Sequence, residues 1–266
     1  MAEALTGARV LADLGGQRAA LQQKDNLCGP FHAARVLREA GIVSWDGEEL
    51  DQDLIALESG TVLPEVQEGP PVPPGAVSFT DYRFDLPRTA PAGSGTSAGG
   101  LAKAIEGAAA GALRCVPLRG EWTADGVERV VEAAPGLSAR LLANVSTAPL
   151  WGSRPPLEAL LAHLDGEAVD TPPASDWTVG HFVELSRLLR GRAGSLVLVV
   201  DSYPSLGWMG RHLQPPAALA DALERGDGRE GGVLVVVPPE NAEAVTALAT
   251  ELGLDVGFWD NGTTRR

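Results

Sequence analysis

The chain has 266 residues, of which 44% are hydrophobic, so it is long enough to bury a core, and its length fits one large domain over residues 1–266. Its net charge of −14 opposes association with nucleic-acid phosphates and with anionic lipid. We therefore expect neither nucleic acid nor a membrane as a partner, and the sequence leaves the oligomeric state open.

The two cysteines, Cys28 and Cys115, are too few for a disulfide framework and form no CxxC metal motif. Residues 1–24 are charged and amphipathic, whereas a signal peptide contains an uninterrupted apolar segment. No segment reaches the roughly 18 apolar residues of a membrane span. We therefore expect a cytoplasmic protein with no metal and no cofactor.

The N-terminal part of the chain is predicted to contain several helices. Apolar residues recur at helical spacing over residues 3–22, with a Gly-Gly break between two halves. The turn DNLCGP at 25–30 then leads into a helix over 31–40, because proline is tolerated in the first turn of a helix. A second short helix is predicted over 46–57.

A proline-rich segment over residues 61–95 is predicted to cover the surface as loops, since proline interrupts both helices and central strands. Either Thr96 or Ser97 is the expected N-cap of a helix that runs to Gly107. The glycine-rich GSGTSAGG at 93–100 lacks the Gly-Lys-Ser/Thr ending of a phosphate-binding loop, so we do not expect a nucleotide site.

Strands dominate the C-terminal half. The apolar runs 181–189 and 195–203 are joined by a connection of hairpin length and should pair antiparallel. Residues 231–260 form a strand, a helix and a strand, which we assign to a C-terminal extension. The preceding elements alternate as strand, helix, strand and helix at 112–118, 125–134, 139–147 and 155–166. The fold class is therefore α+β, with an N-terminal helical part that carries Cys28 packed on a largely antiparallel sheet.

Cys28 is a candidate nucleophile because it lies at the start of a predicted helix. A helix N-terminus has unpaired N–H groups and a partial positive charge, which favour a thiolate over a thiol. Nucleophilic catalysis then requires a base, a group that orients the base, and donors for the developing oxyanion. Four histidines are available in the sequence for the role of base.

His181 and Asp201 are the best candidates for the base and its orienting group. If the turn of the predicted hairpin is centred at residue 191 or 192, His181 lies opposite a residue between Asp201 and Tyr203. Spacing therefore predicts contact between the imidazole and the carboxylate. A slip of one residue in register would place the two side chains on opposite faces of the sheet.

The motifs around these residues resemble those of papain-like cysteine peptidases, and more closely the bacterial C39-like peptidases. The resemblance rests on Gln22 followed by QKDNL and Cys28-Gly29-Pro30, on Gly180-His181 before an apolar strand, and on VLVVDSYP with Asp201 and Pro204. These motifs occur in the order that the family has. They cover about half of the chain in three blocks. Leu27 stands where the C39-like peptidases usually have Asp, and the stretch before His181 is longer than usual.

The resemblance implies a papain-like fold and a cysteine peptidase-like enzyme acting on a peptide or amide bond. Cys28 would be the nucleophile, His181 the base and later the acid, and Asp201 the group that holds the imidazole. Gln22 and the Cys28 backbone N–H would form the oxyanion hole, a role for which Gln23 competes. Candidate substrate-binding residues are Gln23, Trp177, Gly180, Tyr203 and Trp208, although aromatic residues near a sheet end often serve packing only.

Several neighbouring residues have simpler interpretations. Cys115 alternates with apolar residues in a strand and should belong to the core. His32 lies one turn after Cys28 and could be a base or a metal partner, but a site wall or a solvent-facing position fits it better. His163 and His212 should be structural or exposed. Asp176 is in a loop, and Glu184 should face away from His181, so neither replaces Asp201.

Two other functions are compatible with the sequence. The chain could be an inactive C39-like module that binds peptides in the same groove, or Cys28 and His32 could have a metal or redox role. If an amine outcompetes water at an acyl-enzyme on Cys28, the enzyme would be a transferase rather than a hydrolase. The sequence does not separate hydrolysis from transfer.

Overall fold

The computed structural model describes residues 22–67, 72–169 and 173–264. The helix predicted over residues 3–22 lies outside these residues, apart from its last position. None of the described helices is both long enough and apolar enough to cross a bilayer.

The described residues form seven α-helices and eleven short or medium strands. The helices are α1 (Cys28–Glu39), α2 (Gln52–Glu58), α3 (Ala98–Ala109), α4 (Ala124–Ala133), α5 (Leu157–Asp165), α6 (Pro216–Glu224) and α7 (Ala242–Glu251). The strands are β1 (Ser44–Trp45), β2 (Glu48–Glu49), β3 (Leu63–Pro64), β4 (Arg88–Thr89), β5 (Arg114–Arg119), β6 (Arg140–Ser146), β7 (Gly180–Arg190), β8 (Ser195–Val200), β9 (Arg211–Gln214), β10 (Gly232–Val237) and β11 (Asp255–Val256).

Seven of these strands form one antiparallel sheet in the order β11-β5-β10-β6-β7-β8-β9. The α+β class predicted from the sequence is therefore confirmed. The sequence predicted β10 as part of a C-terminal extension. In the structure β10 instead lies near the middle of the sheet, where it pairs with β5 on one side and with β6 on the other. Its continuous apolar sequence GVLVVV suits a strand that is covered on both faces.

Helices cover both faces of the sheet. On one face, α1 and α3 pack with alternate strand residues such as Phe182 and Leu234. On the other face, α4, α6 and α7 pack against residues such as Val183 and Val233, which point the opposite way from their neighbours. The first face carries the N-terminal helical part that the sequence predicted.

A charged cluster fixes α1 to the strand that follows the predicted Gly-His motif. Glu184 of β7 is 2% exposed and pairs with Arg35 of α1 and with Arg140 of β6, the latter at 3.3 Å. A buried carboxylate is stable only when such partners compensate for its lost hydration. Glu184 therefore ties α1, and with it Cys28, to β7.

The helix predicted over residues 46–57 is wrong in its first half. Residues 44–49 form a hairpin of β1 and β2 whose turn is Asp46-Gly47, and both turn residues have positive φ, 50° and 86°. An Asp-Gly pair favours this type of two-residue turn, which explains the hairpin. The helix starts only after Asp51, whose side chain accepts a hydrogen bond from the Leu54 N–H at 2.8 Å.

The described residues of the proline-rich segment, 61–67 and 72–95, are mostly irregular, as predicted, with two short parallel strands, β3 and β4, among them. It packs beside the residues that precede Cys28. The Asp25 carboxylate accepts hydrogen bonds from the Ser78 hydroxyl and, at 3.1 Å, from the Phe79 N–H. The Tyr82 hydroxyl donates to the Asp25 carbonyl at 2.9 Å.

We expect Ser97→Ala to lower the free energy of unfolding by about 1 kcal/mol, a typical cost of removing a helix N-cap. Ser97 is the N-cap of α3, and its hydroxyl accepts a hydrogen bond from the Gly100 N–H at 3.1 Å. Urea denaturation monitored by circular dichroism measures the loss. Ser138→Ala is the matched control, because Ser138 follows a short 3-10 turn and caps no α-helix. An equal effect of both substitutions would contradict the cap.

Candidate active site

Cys28 is the first residue of α1, three residues earlier than the predicted start of that helix. The residue before it, Leu27, offers no side chain to cap the helix. Two backbone groups instead donate hydrogen bonds to the Cys28 sulfur: the N–H of Gly29 in the first turn, and the N–H of Phe182 in β7 at 3.4 Å. The half-buried sulfur thus lies between the helix N-terminus and the sheet.

His181 lies next to Cys28 and forms a hydrogen bond with its side chain. The Nε2 atom of His181 is 3.2 Å from the Asp201 Oδ1 atom, and both residues are almost fully buried. Because Nε2 faces Asp201, Nδ1 is the ring nitrogen left for the thiol. The structure therefore places Cys28, His181 and Asp201 side by side.

The register of β7 and β8 explains how His181 reaches Asp201. The last paired residues are Glu184 and Val200, after an irregularity between Leu185 and Arg187. Continuing this register brings His181 opposite Tyr203, so Asp201 is a diagonal neighbour on the same face. The irregularity shifts the register by one residue and so decides on which face of the sheet each side chain lies. Counting residues from the turn could not predict that shift.

The surroundings of Cys28 and His181 favour an ion pair between them. Burial alone raises the pKa of Cys28, but the hydrogen bond and the charge of His181, with the two N–H donors, lower that pKa below its usual range. Burial alone lowers the pKa of His181, but the carboxylate of Asp201 and the Cys28 sulfur raise it to about 10. The arrangement stabilises a thiolate beside an imidazolium.

Three of the groups that face the Asp201 carboxylate are nitrogen atoms, whereas the fourth, the Ser202 hydroxyl, donates its proton elsewhere. Besides His181, Oδ1 accepts from the Tyr203 N–H at 3.0 Å and faces the Ser202 hydroxyl at 3.5 Å. Oδ2 faces Nε2 of His212 at 3.9 Å. Burial raises the pKa of Asp201, but His181 and His212 outweigh burial and hold it far below its usual range.

His212 is a site residue that the sequence analysis assigned to a structural or exposed position. It is 4% exposed, on β9, and its Nδ1 atom is 2.9 Å from Nε2 of Gln214. The Gln214 amide is itself fixed, because its Oε1 accepts from the Trp151 N–H at 2.8 Å and its Nε2 donates to the Trp151 carbonyl at 2.9 Å. These contacts assign the proton of neutral His212 to Nε2, which faces Asp201.

Two of the three predicted aromatic residues flank His181. The ring of Tyr203 stacks on the imidazole with centroids 6.0 Å apart, and the ring of Trp177 meets it edge-on at 5.5 Å. Tyr203 is fully buried, so it shields the imidazole rather than lining an open groove. Trp208 packs in a separate hydrophobic cluster with α5, β8 and β9, because the turn before β9 directs it there.

The two candidate glutamines have different environments. Gln22 donates from Nε2 to the carbonyl of Val77 in the proline-rich segment, at 2.5 Å. Gln23 is 2% exposed, and its Oε1 accepts from the Ser202 hydroxyl at 2.5 Å. Its backbone N–H donates to the Ser202 carbonyl at 3.2 Å. Gln23 is therefore packed against the residue that follows Asp201, whereas Gln22 contacts the proline-rich segment.

His32 is fully buried, rather than exposed to solvent. Burial and the charge of Arg35 lower its pKa well below the usual range, so it is neutral. No group of three or more His, Cys, Asp and Glu residues within the described ranges could hold a metal ion.

The remaining polar candidates have structural contacts. The Asp176 carboxylate accepts from the Ser153 N–H at 2.6 Å. The His163 ring contacts the Ser195 carbonyl at 3.0 Å. Cys115 packs, half-buried, against the core on the α1 face, and burial followed by the charge of Glu106 raises its pKa far above the usual range. The two cysteines thus have opposite pKa shifts.

A pocket of about 420 Å³ opens beside Cys28. Its walls include Asn26, Asn144, Gly180 and Arg225. A second pocket of about 230 Å³ adjoins it, since Asn26 is one of the residues common to both. Cys28 therefore lies at the side of a cleft with room for a substrate.

Comparison with known proteins gives a family without an assigned activity. No curated protein matches the chain. A family described as "Family of unknown function (DUF6885)" matches residues 6–260, which include Cys28, His181 and Asp201. The match spans far more than half of the 266 residues, so the chain belongs to the Family of unknown function (DUF6885).

Proposed function

We propose that the protein is a thiol-dependent enzyme of papain-like fold that transfers the acyl group of a peptide or amide to water or to an amine. The observation that carries this proposal is the contact of three groups: Cys28 at a helix N-terminus, His181 beside its sulfur, and a buried Asp201 at 3.2 Å from the imidazole. A cysteine helix packed on an antiparallel sheet, with the histidine on β7 and the carboxylate directly after the adjacent strand β8, supports the papain-like assignment.

In this proposal the Cys28 thiolate attacks the carbonyl carbon and forms a tetrahedral intermediate. The His181 imidazolium gives its proton to the leaving amine, the C–N bond breaks, and an acyl-enzyme remains on the sulfur. Neutral His181 then takes a proton from water or from an acceptor amine, whose attack on the thioester releases the product and regenerates the thiolate. Asp201 holds the imidazole in place and stabilises its charged form.

Alkylation of Cys28 by iodoacetamide tests the activated thiol directly. We expect Cys28 to react well below pH 8, because its pKa is lowered, while Cys115 stays unreactive in the folded protein, because its pKa is raised. Mass spectrometry of the two cysteine peptides against pH gives both rates in one sample. An ordinary thiol profile for Cys28, with no activity, would contradict the proposal and favour a peptide-binding module without catalysis.

We expect Gln23→Ala to weaken inhibition by a peptide aldehyde about tenfold, the effect of one hydrogen bond to a charged oxygen, and Gln22→Ala to weaken it little. Attack of Cys28 on the aldehyde forms a hemithioacetal whose oxygen occupies the oxyanion position. Each glutamine NH₂ donates to one backbone carbonyl, that of Lys24 for Gln23 and that of Val77 for Gln22, and keeps a second N–H. Gln23 is favoured because it packs against Ser202, next to Asp201.

The inhibition constants of the two variants, measured side by side, decide between the glutamines. Because both substitutions remove the same amide, each serves as the control for the other. A larger effect of Gln22→Ala would assign the oxyanion role to Gln22 and require the Val77 contact to open on binding.

A further inference from the structure

The pocket beside Cys28 is lined by basic side chains and by no acidic ones among its described residues, although the chain has a net charge of −14 and one of the basic residues, Arg225, also pairs with Asp227 outside the lining. Two arginines, Arg225 and Arg229, line it, and none of its described lining residues is Asp or Glu. The average composition of the surface does not explain this local excess of positive charge. It is a property of the pocket itself.

Arg225 is held rigidly with part of its hydrogen-bonding capacity free. The residue is 3% exposed. Asp227 accepts from its Nη2 at 2.8 Å and from its Nε at 3.3 Å, and Asn144 Oδ1 lies 3.5 Å from Nη1. An arginine has five N–H donors, so these contacts leave donors on both terminal nitrogens without a partner among the described residues.

These terminal nitrogens lie against the residue that precedes His181. A Cβ atom added to Gly180 would be only 2.7 Å from Nη2 and 3.0 Å from Nη1 of Arg225. The close approach explains why glycine stands before His181: a larger residue would displace the guanidinium. The positive charge is thereby placed one residue away from the proposed base.

The backbone of Arg225 provides a second, independent observation. It has a φ of 49° at the C-terminal end of α6, in the left-handed region where glycine is favoured. An arginine at such a position indicates that its side chain is needed there. The second arginine of the lining, Arg229, donates from Nη2 to the Ala92 carbonyl at 2.9 Å, and this contact holds it at the pocket wall.

We propose that this pocket binds a carboxylate of the substrate, and that the substrate is an acidic peptide whose carboxylate lies close to the bond attacked by Cys28. The inference rests on the proposed function. Guanidinium and carboxylate form strong charge-assisted hydrogen bonds, and the free N–H groups of Arg225 are preorganised for them. The carboxylate belongs either to an Asp or Glu side chain or to the C-terminus of the peptide.

Iodoacetate and iodoacetamide test the carboxylate site, because they share a reactive carbon and differ in charge. In both reactions the Cys28 sulfur bonds to the CH₂ carbon, the C–I bond breaks and iodide leaves. We expect the rate ratio of iodoacetate to iodoacetamide at Cys28 to exceed that of glutathione by about tenfold or more, the effect of a hydrogen bond to a charged group. Iodoacetamide provides the reference for thiolate reactivity within each variant.

Variants assign the effect to Arg225. We expect Arg225→Gln to lower the rate ratio about tenfold, and Arg225→Lys, which keeps the charge, to lower it less. Arg192→Gln is the matched control, because Arg192 is exposed in the β7–β8 turn and pairs only distantly, at 3.5 Å, with Asp165. A ratio equal to that of glutathione in the native protein, or an equal ratio in Arg225→Gln and Arg192→Gln, would overturn the carboxylate site.

Peptide protection of native Cys28 separates the two carboxylate sources and needs no variant. Protection by a C-terminally amidated peptide with an internal Glu indicates a side-chain carboxylate. Protection by a peptide without Asp or Glu but with a free C-terminus indicates the terminal carboxylate. Protection by neither overturns the acidic peptide as ligand. If neither alkylating reagent reacts with Cys28 faster than with Cys115, the proposed function itself fails, and this inference fails with it.

Discussion

Replacing His181 by alanine is expected to slow the alkylation of Cys28 at pH 6.5 by about tenfold to 100-fold. At this pH a thiol with an ordinary pKa near 8.5 is about 1% ionised. His181 supplies the hydrogen bond and the positive charge that lower the pKa of Cys28, and without them burial raises that pKa. The more basic thiolate is a better nucleophile, which offsets part of the loss.

The pH dependence follows from the directions of the two shifts. The ion pair forms as the pH rises through the lowered pKa of Cys28 and persists until His181 loses its proton, at a pKa of about 10. In the native protein the alkylation rate should therefore reach its plateau below the usual pKa of a thiol. In His181→Ala the alkylation rate of Cys28 should rise only at a pH above the usual pKa of a cysteine thiol, because burial then raises the pKa of Cys28.

His163→Ala is the matched control for His181→Ala, because His163 lies on α5 and its ring contacts the Ser195 carbonyl rather than Cys28 or Asp201. It should leave the alkylation of Cys28 unchanged. For turnover of a substrate, loss of His181 should cost on the order of 10² to 10⁴, the usual contribution of a general acid or base. Equal alkylation profiles in native protein and His181→Ala would contradict an activated thiol.

Local sequence signals predicted most of the elements that position the site. Ser97 was one of the two expected caps of α3, and the apolar run of β10 was evident from its composition. The His181 and Asp201 contact followed from hairpin geometry, since the connection between β7 and β8 is short. Such features depend on residues close in sequence.

The residues that were missed depend on contacts between distant parts of the chain. His212 reaches Asp201 because β9 pairs with β8, and β9 has only four residues, too few for a clear alternating pattern. Arg225 reaches Gly180 from the end of α6, which follows β9 and was not predicted either. The Asp46-Gly47 turn, in contrast, was a local signal that the helical pattern of the following residues obscured.

Replacing Asp201 by asparagine is expected to slow the alkylation of Cys28 at pH 6.5 by up to about 100-fold, because the charge that raises the pKa of His181 is lost. The asparagine side chain also carries an NH₂ donor in place of one carboxylate oxygen, and the groups around it are themselves N–H donors. If its oxygen faces His181 and Tyr203, its NH₂ group opposes the Nε2–H of His212. If it turns over, its NH₂ group opposes His181 and Tyr203 instead.

The second substitution that tests this arrangement is His212→Ala. Alone it should slow alkylation, because Asp201 loses the polar group that faces its Oδ2 atom at 3.9 Å and helps to lower its pKa. In Asp201→Asn it should have the opposite effect and speed alkylation, because the asparagine can then turn its oxygen to His181 without opposing a donor. A double-mutant cycle on the rates should therefore show a coupling of about 1 kcal/mol between positions 201 and 212.

The sign of this coupling shows whether His212 interacts with the side chain at position 201 or only fills space beside it. If His212 only filled space, its removal would add a cavity in either background and slow alkylation in both. The Gln214 contact at 2.9 Å leaves Nε2 of His212 as the nitrogen whose N–H faces position 201, so only a polar interaction between the two residues predicts rescue in the asparagine background. Additive effects of the two substitutions would remove His212 from the machinery of the site and leave the Tyr203 N–H as the donor that fixes Asp201 beside His181.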